Sequence, residues 1–229
     1  MNFNAKRVLQ CLFLAMVAAL WGCATTPDTQ STAQEEVSRA QATLNNFQND
    51  PEMRWFRDHV KEARAVIISP RVTRAGFVFG GSGGIAVVLA RDGKKGEWSG
   101  PAFYNMGSGS VGLQIGVDVS EVVMLVMSDK GLNGLLSPEF TLGGDASVAA
   151  GPVGVGAASS VTTDMISYAR SKGVYAGISL AGVVIRPDTA ANDAYYGRSA
   201  SPVDILVRHN VDNPASASLR QSLNRMAAR

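Results

Sequence analysis

The chain has 229 residues, which suits one domain with a tail better than two domains. It is 46% hydrophobic and 17% charged, and this composition excludes an intrinsically disordered protein, which lacks the apolar residues for a core. The formal net charge is +2, and Lys6 and Arg7 account for that surplus, so the chain from residue 23 onward is neutral. Generic nucleic-acid-binding proteins are basic, and we exclude that class.

The N-terminus is typical of a bacterial lipoprotein signal. Residues 8–22 form an apolar run of about 15 residues, whereas a membrane-spanning helix needs about 20. The run ends in Leu20-Trp21-Gly22-Cys23, which resembles a lipobox, although a small residue is more usual at Trp21. The resemblance implies a signal peptide over 1–22 and a Cys23 that carries diacylglycerol and an amide-linked acyl chain such as palmitate. The alternative is ordinary secretion with an incidental cysteine.

The residue after the cysteine bears on localisation. Ala24, rather than an aspartate, follows Cys23, and lipoprotein sorting in Gram-negative bacteria then favours the periplasmic side of the outer membrane. Cys11 lies in the removed segment and Cys23 would be lipidated, so we expect no disulfide in the mature domain. With His59 and His209 as the two histidines, we expect neither a metal site nor a cofactor.

Helical periodicity follows a short polar tether. We assign residues 23–33 to the lipidated cysteine and tether, 34–210 to the domain and 211–229 to a C-terminal helical tail. Apolar residues recur at three- and four-residue steps from Gln34 to Gln48, which predicts a first helix. Asp50-Pro51-Glu52 is a helix-start signature. The second helix that it predicts carries this apolar stripe: Met53, Phe56, Val60, Ala63 and Ile67.

The central region favours strands. Of 24 glycines, 22 lie between Gly76 and Gly182, and an interior glycine costs a helix about 1 kcal/mol. The predicted strands are residues 65–69, 75–79, 85–90, 98–106, 111–119, 122–127, 166–169 and 174–185. The predicted later helices are residues 129–136, 188–196 and 215–226. The fold class is therefore α+β: one glycine-rich, mostly antiparallel sheet with helices packed on it, preceded by amphipathic helices.

Three motif matches lack the context that their chemistry requires. Residues 107–112 fit a dinucleotide fingerprint, but a strand pattern follows them where a helix is needed. Residues 80–84 fit a nucleophile elbow, but no histidine stands in a recognisable catalytic context, and we interpret Ser82 as a hairpin or bulge residue. Gly76, Gly80 and Gly84 form a glycine zipper, yet the stretch is too weakly hydrophobic to predict membrane insertion.

Several distinctive sequence blocks occur in order at residues 75–84, 98–104, 107–116, 145–154, 175–180 and 192–197. Together they resemble the SYLF family of lipid-binding domains over residues 63–198. The resemblance implies binding to membrane lipids, which are phosphoinositides in eukaryotic members, with actin regulation in some. It implies no catalytic residues. Family members often carry an acidic residue where this chain has Ala181, so no role is transferred to that position.

The charge distribution points to one basic segment. Residues 54–95 hold nine basic and three acidic side chains, whereas residues 96–167 hold Lys130 against seven acids. When cations lie on one face, each contributes about 1 kcal/mol of binding free energy toward anionic headgroups. The predicted lipid-contact residues are Arg54, Trp55, Arg57, Lys61, Arg64, Lys94, Lys95 and Trp98. The alternative is a solvated helix face, with Trp98 in the core.

The sequence thus predicts a non-enzymatic, lipid-anchored periplasmic protein whose domain binds phospholipid or membrane surfaces. A structural or assembly lipoprotein that acts through protein contacts is the alternative. A third, less favoured hypothesis is an enzyme that acts on envelope lipids.

Overall fold

The computed structural model describes residues 29–76, 79–93, 95–111, 116–154, 162–178 and 180–228. The signal segment, Cys23 and Lys94 lie outside the described residues. The helices are α1 (Thr29–Asn49), α2 (Arg54–His59), α3 (Asp129–Leu135), α4 (Thr189–Tyr196) and α5 (Ala217–Ala227). Short 3-10 turns span Pro51–Met53, Val60–Glu62 and Pro214–Ser216, and a π-helical turn spans Asp204–Arg208.

The described chain forms one nine-stranded sheet, which confirms the predicted α+β class. Its strands are β1 (Ala65–Gly76), β2 (Phe79–Ala90), β3 (Ala102–Val111), β4 (Gly116–Val126), β5 (Phe140–Thr141), β6 (Val148–Ala150), β7 (Met165–Ser171), β8 (Val174–Gly177) and β9 (Val184–Pro187). Their order is β5-β9-β3-β2-β1-β4-β7-β6, and β8 also pairs with β7. Every pairing is antiparallel except that of β6 with β7.

Alternating side chains give the sheet two buried faces. On the first face Val66, Ile68 and Leu89 pack against α1, α2 and α5 in one cluster, which we call the helix-side core. On the second face Ile67, Val88 and neighbouring residues pack against α3 and the residues after α4. Continuous apolar runs such as residues 86–90 therefore suit strands that are covered on both sides.

Helix α1 lies across the strands on the helix side. Glu36 interacts electrostatically with Arg71 of β1, and Thr43 Oγ1 donates to Glu121 Oε1 of β4 at 2.9 Å. Tyr175 of β8 donates from its hydroxyl to the Asn46 carbonyl at 2.9 Å. Burial raises the pKa of Glu36 above its ordinary value, an effect that Arg39 at 3.1 Å partly offsets. The helix therefore marks the boundary of the covered part of the sheet.

The predicted helices are largely confirmed. Helix α1 begins at Thr29, five residues before the predicted start, so residues 29–33 of the expected tether are helical. Asp50 accepts from the Glu52 amide at 2.9 Å, as the start signature predicts, but a 3-10 turn opens the segment. The second helix ends earlier than predicted, because the turn at Val60–Glu62 leads into β1. Ile67 is therefore a strand residue on the second face, and its place in the helical stripe was wrong.

The predicted strands were right in kind but wrong in their ends. The run at 75–79 is divided between the end of β1 and the start of β2, and residues 174–185 form two strands instead of one. Ser82 lies within β2, an antiparallel partner of β1, and its hydroxyl is 2.8 Å from that of Ser108. It is therefore a residue of a hairpin strand, as one of the two interpretations held, whereas the bulge lies in β1. Most strand ends were missed because β1, β2 and β3 extend beyond the apolar segments that predicted them, through proline, glycine, serine and charged residues.

A bulge in β1 imposes a glycine on β2. The register between these strands shifts between Ile68 and Arg71, and a Cβ at Gly84 would overlap the Arg71 carbonyl oxygen. We expect Gly84→Ala to lower the free energy of unfolding by about 1–3 kcal/mol, because backbone atoms would have to move. At the neighbouring Gly83 a Cβ would lie 3.7 Å from the Met106 carbonyl oxygen, an ordinary contact.

Gly83→Ala is the matched control, and its effect is expected to stay within about 0.5 kcal/mol. Urea unfolding of both variants measures the difference. Equal losses for the two alanines would contradict the close approach at the bulge.

Asp164 joins α3 to the β6–β7 region. Its carboxylate accepts from the Ser128 hydroxyl at 2.5 Å and from the Ser147 amide and hydroxyl at 2.9 Å each. The hydrogen bond from Ser128, followed by those from Ser147, lowers the pKa of Asp164 below its ordinary value. The stabilisation is therefore present above the unfolded-state pKa of about 3.9 and is lost as the pH falls through the lower folded-state pKa.

We expect the wild-type protein to lose stability more steeply below about pH 4 than Asp164→Asn does. Urea midpoints measured from neutral pH down to about pH 2.5 test this. Asp58→Asn is the control, since that exposed carboxylate lies 3.9 Å from Arg54 and bonds no serine in the described chain. Parallel acid curves for Asp164→Asn and wild type would contradict the assignment.

Candidate functional site: a basic cleft

A polar cleft lies at the end of the sheet where β1 begins and β2 ends. Its volume is about 370 Å³, and it is lined by residues 61–64 on one side and by residues 91–93, 95 and 96 on the other. Four basic side chains line it, Lys61, Arg64, Arg91 and Lys95, against the two acids Glu62 and Asp92. We call this feature the basic cleft.

Two arginines give the cleft a fixed frame. Arg91 donates from Nε to the Gly96 carbonyl at 3.1 Å and from Nη1 to the Lys61 carbonyl, which ties the two sides together. Arg64 Nε lies 3.1 Å from Asp129 Oδ1 at the start of α3. These two hydrogen bonds hold the Arg91 guanidinium in place. Because carbonyl oxygens carry no net charge, the bonds do not neutralise its positive charge.

The turn between β2 and β3 positions the remaining cation. Asp92 Oδ1 accepts from the Lys95 amide at 2.9 Å, and Gly96 adopts a φ of 73°, a left-handed conformation that favours glycine. The Lys95 and Lys61 side chains are both exposed. Within the described ranges, no carboxylate lies within ion-pair distance of either ammonium group. These two lysines are thus the cations most available to an anionic ligand.

The structure divides the predicted lipid-contact residues. Lys61, Arg64 and Lys95 come together at the cleft, and Lys94 lies outside the described residues. Arg54 is exposed on α2, 3.9 Å from Asp58. Arg57 is half-buried and donates to the carbonyls of Gln48 and Asp50, so it holds the corner between α1 and α2.

Both predicted interfacial tryptophans lie inside the domain. Trp55 is 7% exposed and stacks on His59, with the ring centroids 3.7 Å apart. Trp98 is 3% exposed and belongs to the helix-side core, as the alternative interpretation of the sequence allowed. In this conformation neither indole is presented at the surface, so lipid contact by these rings would need a rearrangement.

Arg91 is the residue that the sequence-based site omitted. It belongs to the basic segment by sequence, but it follows a buried strand and bears no periodic relation to the helical cations. Only the pairing of β1 with β2, which sets Ala65 opposite Ala90, brings Arg91 beside Lys61. No local pattern signals such a contact.

The cleft is chemically suited to bind anions. Its described lining holds no histidine, cysteine, serine or tyrosine, so it offers no hydroxyl or thiol nucleophile and no histidine general base. No cluster of potential metal ligands occurs within the part of the chain that the structure describes. No helix among the described residues is long and apolar enough to cross a membrane.

The opposite end of the sheet differs in character. Strands β1–β4 continue beyond α1, and antiparallel partners share one face there, such as Thr73 with Val119 and with Gly83. We call this surface the bare face: Thr73, Ala75, Gly81, Gly83, Gly107, Gly109, Val117 and Val119. Val117 is 72% exposed and Val119 is 48% exposed. A strand of twelve residues separates the two ends by roughly 35–40 Å.

Comparison with known proteins identifies the family. The sequence profile described as "Ysc84: Las17-binding protein actin regulator" matches residues 107–226. The chain belongs to the Ysc84/SYLF family. This confirms the family predicted from the sequence blocks. No solved structure matches the chain.

Three relatives illustrate the similarity. Protein YSC84 of Saccharomyces cerevisiae is 32% identical over 209 residues, covering 85% of this chain and 44% of the relative. LAS seventeen-binding protein 3 of Saccharomyces cerevisiae is 32% identical over 158 residues, covering 65% and 34%. SH3 domain-containing YSC84-like protein 1 of Rattus norvegicus is 30% identical over 199 residues, covering 82% and 57%. The chain thus spans about half or less of each relative, and none of these names is that of an enzyme.

Proposed function

We propose that this chain is a non-enzymatic membrane-binding protein that holds anionic phospholipid headgroups at the basic cleft. The observation that carries the proposal is the grouping of Lys61, Arg64, Arg91 and Lys95 around one polar cleft. Anionic lipid surfaces attract such cations, and guanidinium and ammonium groups are the usual partners of phosphate. The described lining also holds no serine, cysteine or histidine, which favours binding over turnover.

The proposal for which membrane is bound rests on the N-terminal sequence. We propose that residues 1–22 are a signal peptide, that Cys23 carries the lipid anchor and that the protein faces the periplasm from the outer membrane. The support is the apolar run ending in Leu20-Trp21-Gly22-Cys23 and the alanine after it. Several acyl chains on one residue hold a protein far more firmly than one chain does.

Vesicle co-sedimentation of residues 24–229 tests headgroup binding without the anchor. We expect binding to anionic vesicles that weakens with added salt, and little binding to zwitterionic vesicles, because exposed charges are screened within about 10 Å at 0.1 M salt. Binding indifferent to lipid charge and salt would contradict the proposal.

The anchor has its own test. Full-length protein expressed in a Gram-negative host is expected to gain the mass of a diacylglycerol and an acyl chain after loss of residues 1–22, and Cys23→Ser is expected to remove that gain. An unmodified Cys23 in the mature protein would contradict the lipid anchor without affecting the cleft.

Protein binding is a second candidate function, and one observation favours it. The bare face carries no charged side chain, and Val117 and Val119 project from it into solvent. Exposed apolar surfaces of this kind commonly mark interaction sites. In this alternative the domain is a structural or assembly lipoprotein, and the anchor alone attaches it to the membrane.

A further inference from the structure

The outer edge of β3 is open beyond its pairing with β9. β9 pairs with residues 104–107 of β3, and Gly107 is the last of these, opposite Val184. The inner edge of β3 continues to pair with β2 as far as Val111. For residues 108–111, no strand among the described residues pairs on the outer side. We call these four residues the open edge.

The other edges of the sheet carry features that oppose strand addition. β5 has only two residues, follows Pro138 and Glu139, and is flanked by the ion pair of Glu139 with Arg186 at 2.7 Å. β6 and β8 have three and four residues. Short strands, prolines and charges are the devices with which proteins protect sheet edges.

The outer edge of β4 is protected by charge. Residues 116–120 extend past β7, and Asp118 lies in their centre, bonded to the Ser120 and Ser171 hydroxyls at 2.9 Å each. Antiparallel pairing of this edge with its own copy would bring two Asp118 carboxylates close together, which is unfavourable. The open edge is as short as β8, but it carries no charge that opposes pairing, since residues 98–117 contain no charged side chain.

We propose that the open edge pairs in antiparallel fashion with the open edge of a second copy of this chain, joining two sheets across a two-fold axis. Identical Ser-Gly-Ser-Val segments fit this pairing because small uncharged residues oppose one another and no like charges meet. At Gly109 the face of the strand is also uncovered, with no atom within 4 Å of an added Cβ, so a side chain placed there would not disturb the domain itself. The pairing completes the hydrogen bonds of the exposed strand.

The dimer is weak in solution. Four residues on each side bury much less than the roughly 1,200 Å² of a stable interface, so association belongs to the transient class. Two copies tethered to one membrane have a high effective concentration, which strengthens a weak contact without new interactions. The bare faces of the two copies then form one continuous surface.

Cross-linking distinguishes edge pairing from other contacts. Residues 24–229 contain no cysteine, so single-cysteine variants report one position each. Gly109→Cys places a thiol on the open edge, and Gly83→Cys places one on the same face but on the interior strand β2. With a short bismaleimide, we expect covalent dimers from Gly109→Cys and at least tenfold less from Gly83→Cys.

Charge substitutions give the second arm. Sedimentation equilibrium from about 10 to 500 µM is expected to show a rising average mass for wild type and for Gly83→Lys, but a single-chain mass for Gly109→Lys. Circular dichroism checks that both variants fold. A monomer at all concentrations, or a dimer broken by Gly83→Lys and not by Gly109→Lys, would overturn the proposal. Neither result depends on lipid binding at the basic cleft.

Discussion

Replacing Lys61 and Lys95 together by glutamine is expected to weaken binding to anionic vesicles about 30-fold at low salt. Each well-placed cation contributes about 1 kcal/mol near an anionic surface, and both side chains are exposed at the cleft. Arg64 and Arg91 are left in place because their contacts with Asp129 and with the Gly96 carbonyl support the local fold. Vesicle co-sedimentation at fixed protein and varied lipid measures the change.

The matched control removes the same amount of charge at the other end of the sheet. Arg74 and Lys172 are exposed near the bare face, where they interact electrostatically with Asp118. Arg74→Gln with Lys172→Gln is expected to change binding less than threefold, since those cations would stay far from the lipid. Equal losses for the two double variants would mean that only net charge matters and would contradict a role for the cleft.

Among the substitutions proposed, Phe56→Ala is expected to lower the free energy of unfolding most, by about 3–5 kcal/mol. Phe56 is fully buried, and its ring contacts those of Phe47 and Tyr168 with centroids 6.1 and 5.7 Å away. These rings belong to α2, α1 and β7, so the cavity would lie between the helices and the sheet. The free energy of unfolding of such domains is only about 5–15 kcal/mol. We therefore expect the variant to have a Tm roughly 10 °C lower than that of the wild type.

Thermal unfolding followed by circular dichroism measures this effect. Val117→Ala is the control, because that side chain is 72% exposed and its loss is expected to matter by less than about 0.5 kcal/mol. A loss at Phe56 below 1 kcal/mol would mean that the helices contribute little to the helix-side core.

The sequence predicted those parts of the fold that local patterns determine. The start of the α2 segment at Asp50 and Pro51, α3 before Pro138, and α4 after Asp188 all follow from capping residues and periodicity. The C-terminal helix was also predicted, but its docking was not. Leu219, Leu223 and Met226 join the helix-side core with α1 and α2, a contact between residues about 180 positions apart in the chain.

The candidate site was predicted only in part, because the pairing of strands that are distant in the sequence brings its residues together. The basic segment was visible as charge, yet a charge count cannot separate Arg57, which bonds backbone carbonyls, from Lys61, which is exposed at the cleft. Amphipathic rings suggested Trp55 and Trp98 as surface residues, whereas core packing requires large aromatic side chains as well. The bare face was not predicted, because the glycine-rich strand pattern does not show which strand residues α1 packs on and which it leaves exposed.

We propose that the basic-cleft end of the sheet, and not the bare-face end, contacts the membrane. Gly93 and Gly83 are exposed glycines at these two ends, and a Cβ at either would make ordinary contacts at 3.6 and 3.7 Å. A fluorophore on Gly93→Cys or Gly83→Cys of residues 24–229 can be quenched by spin-labelled headgroups in anionic vesicles. We expect strong quenching at position 93 and little at position 83. Quenching at position 83 without quenching at position 93 would contradict the account.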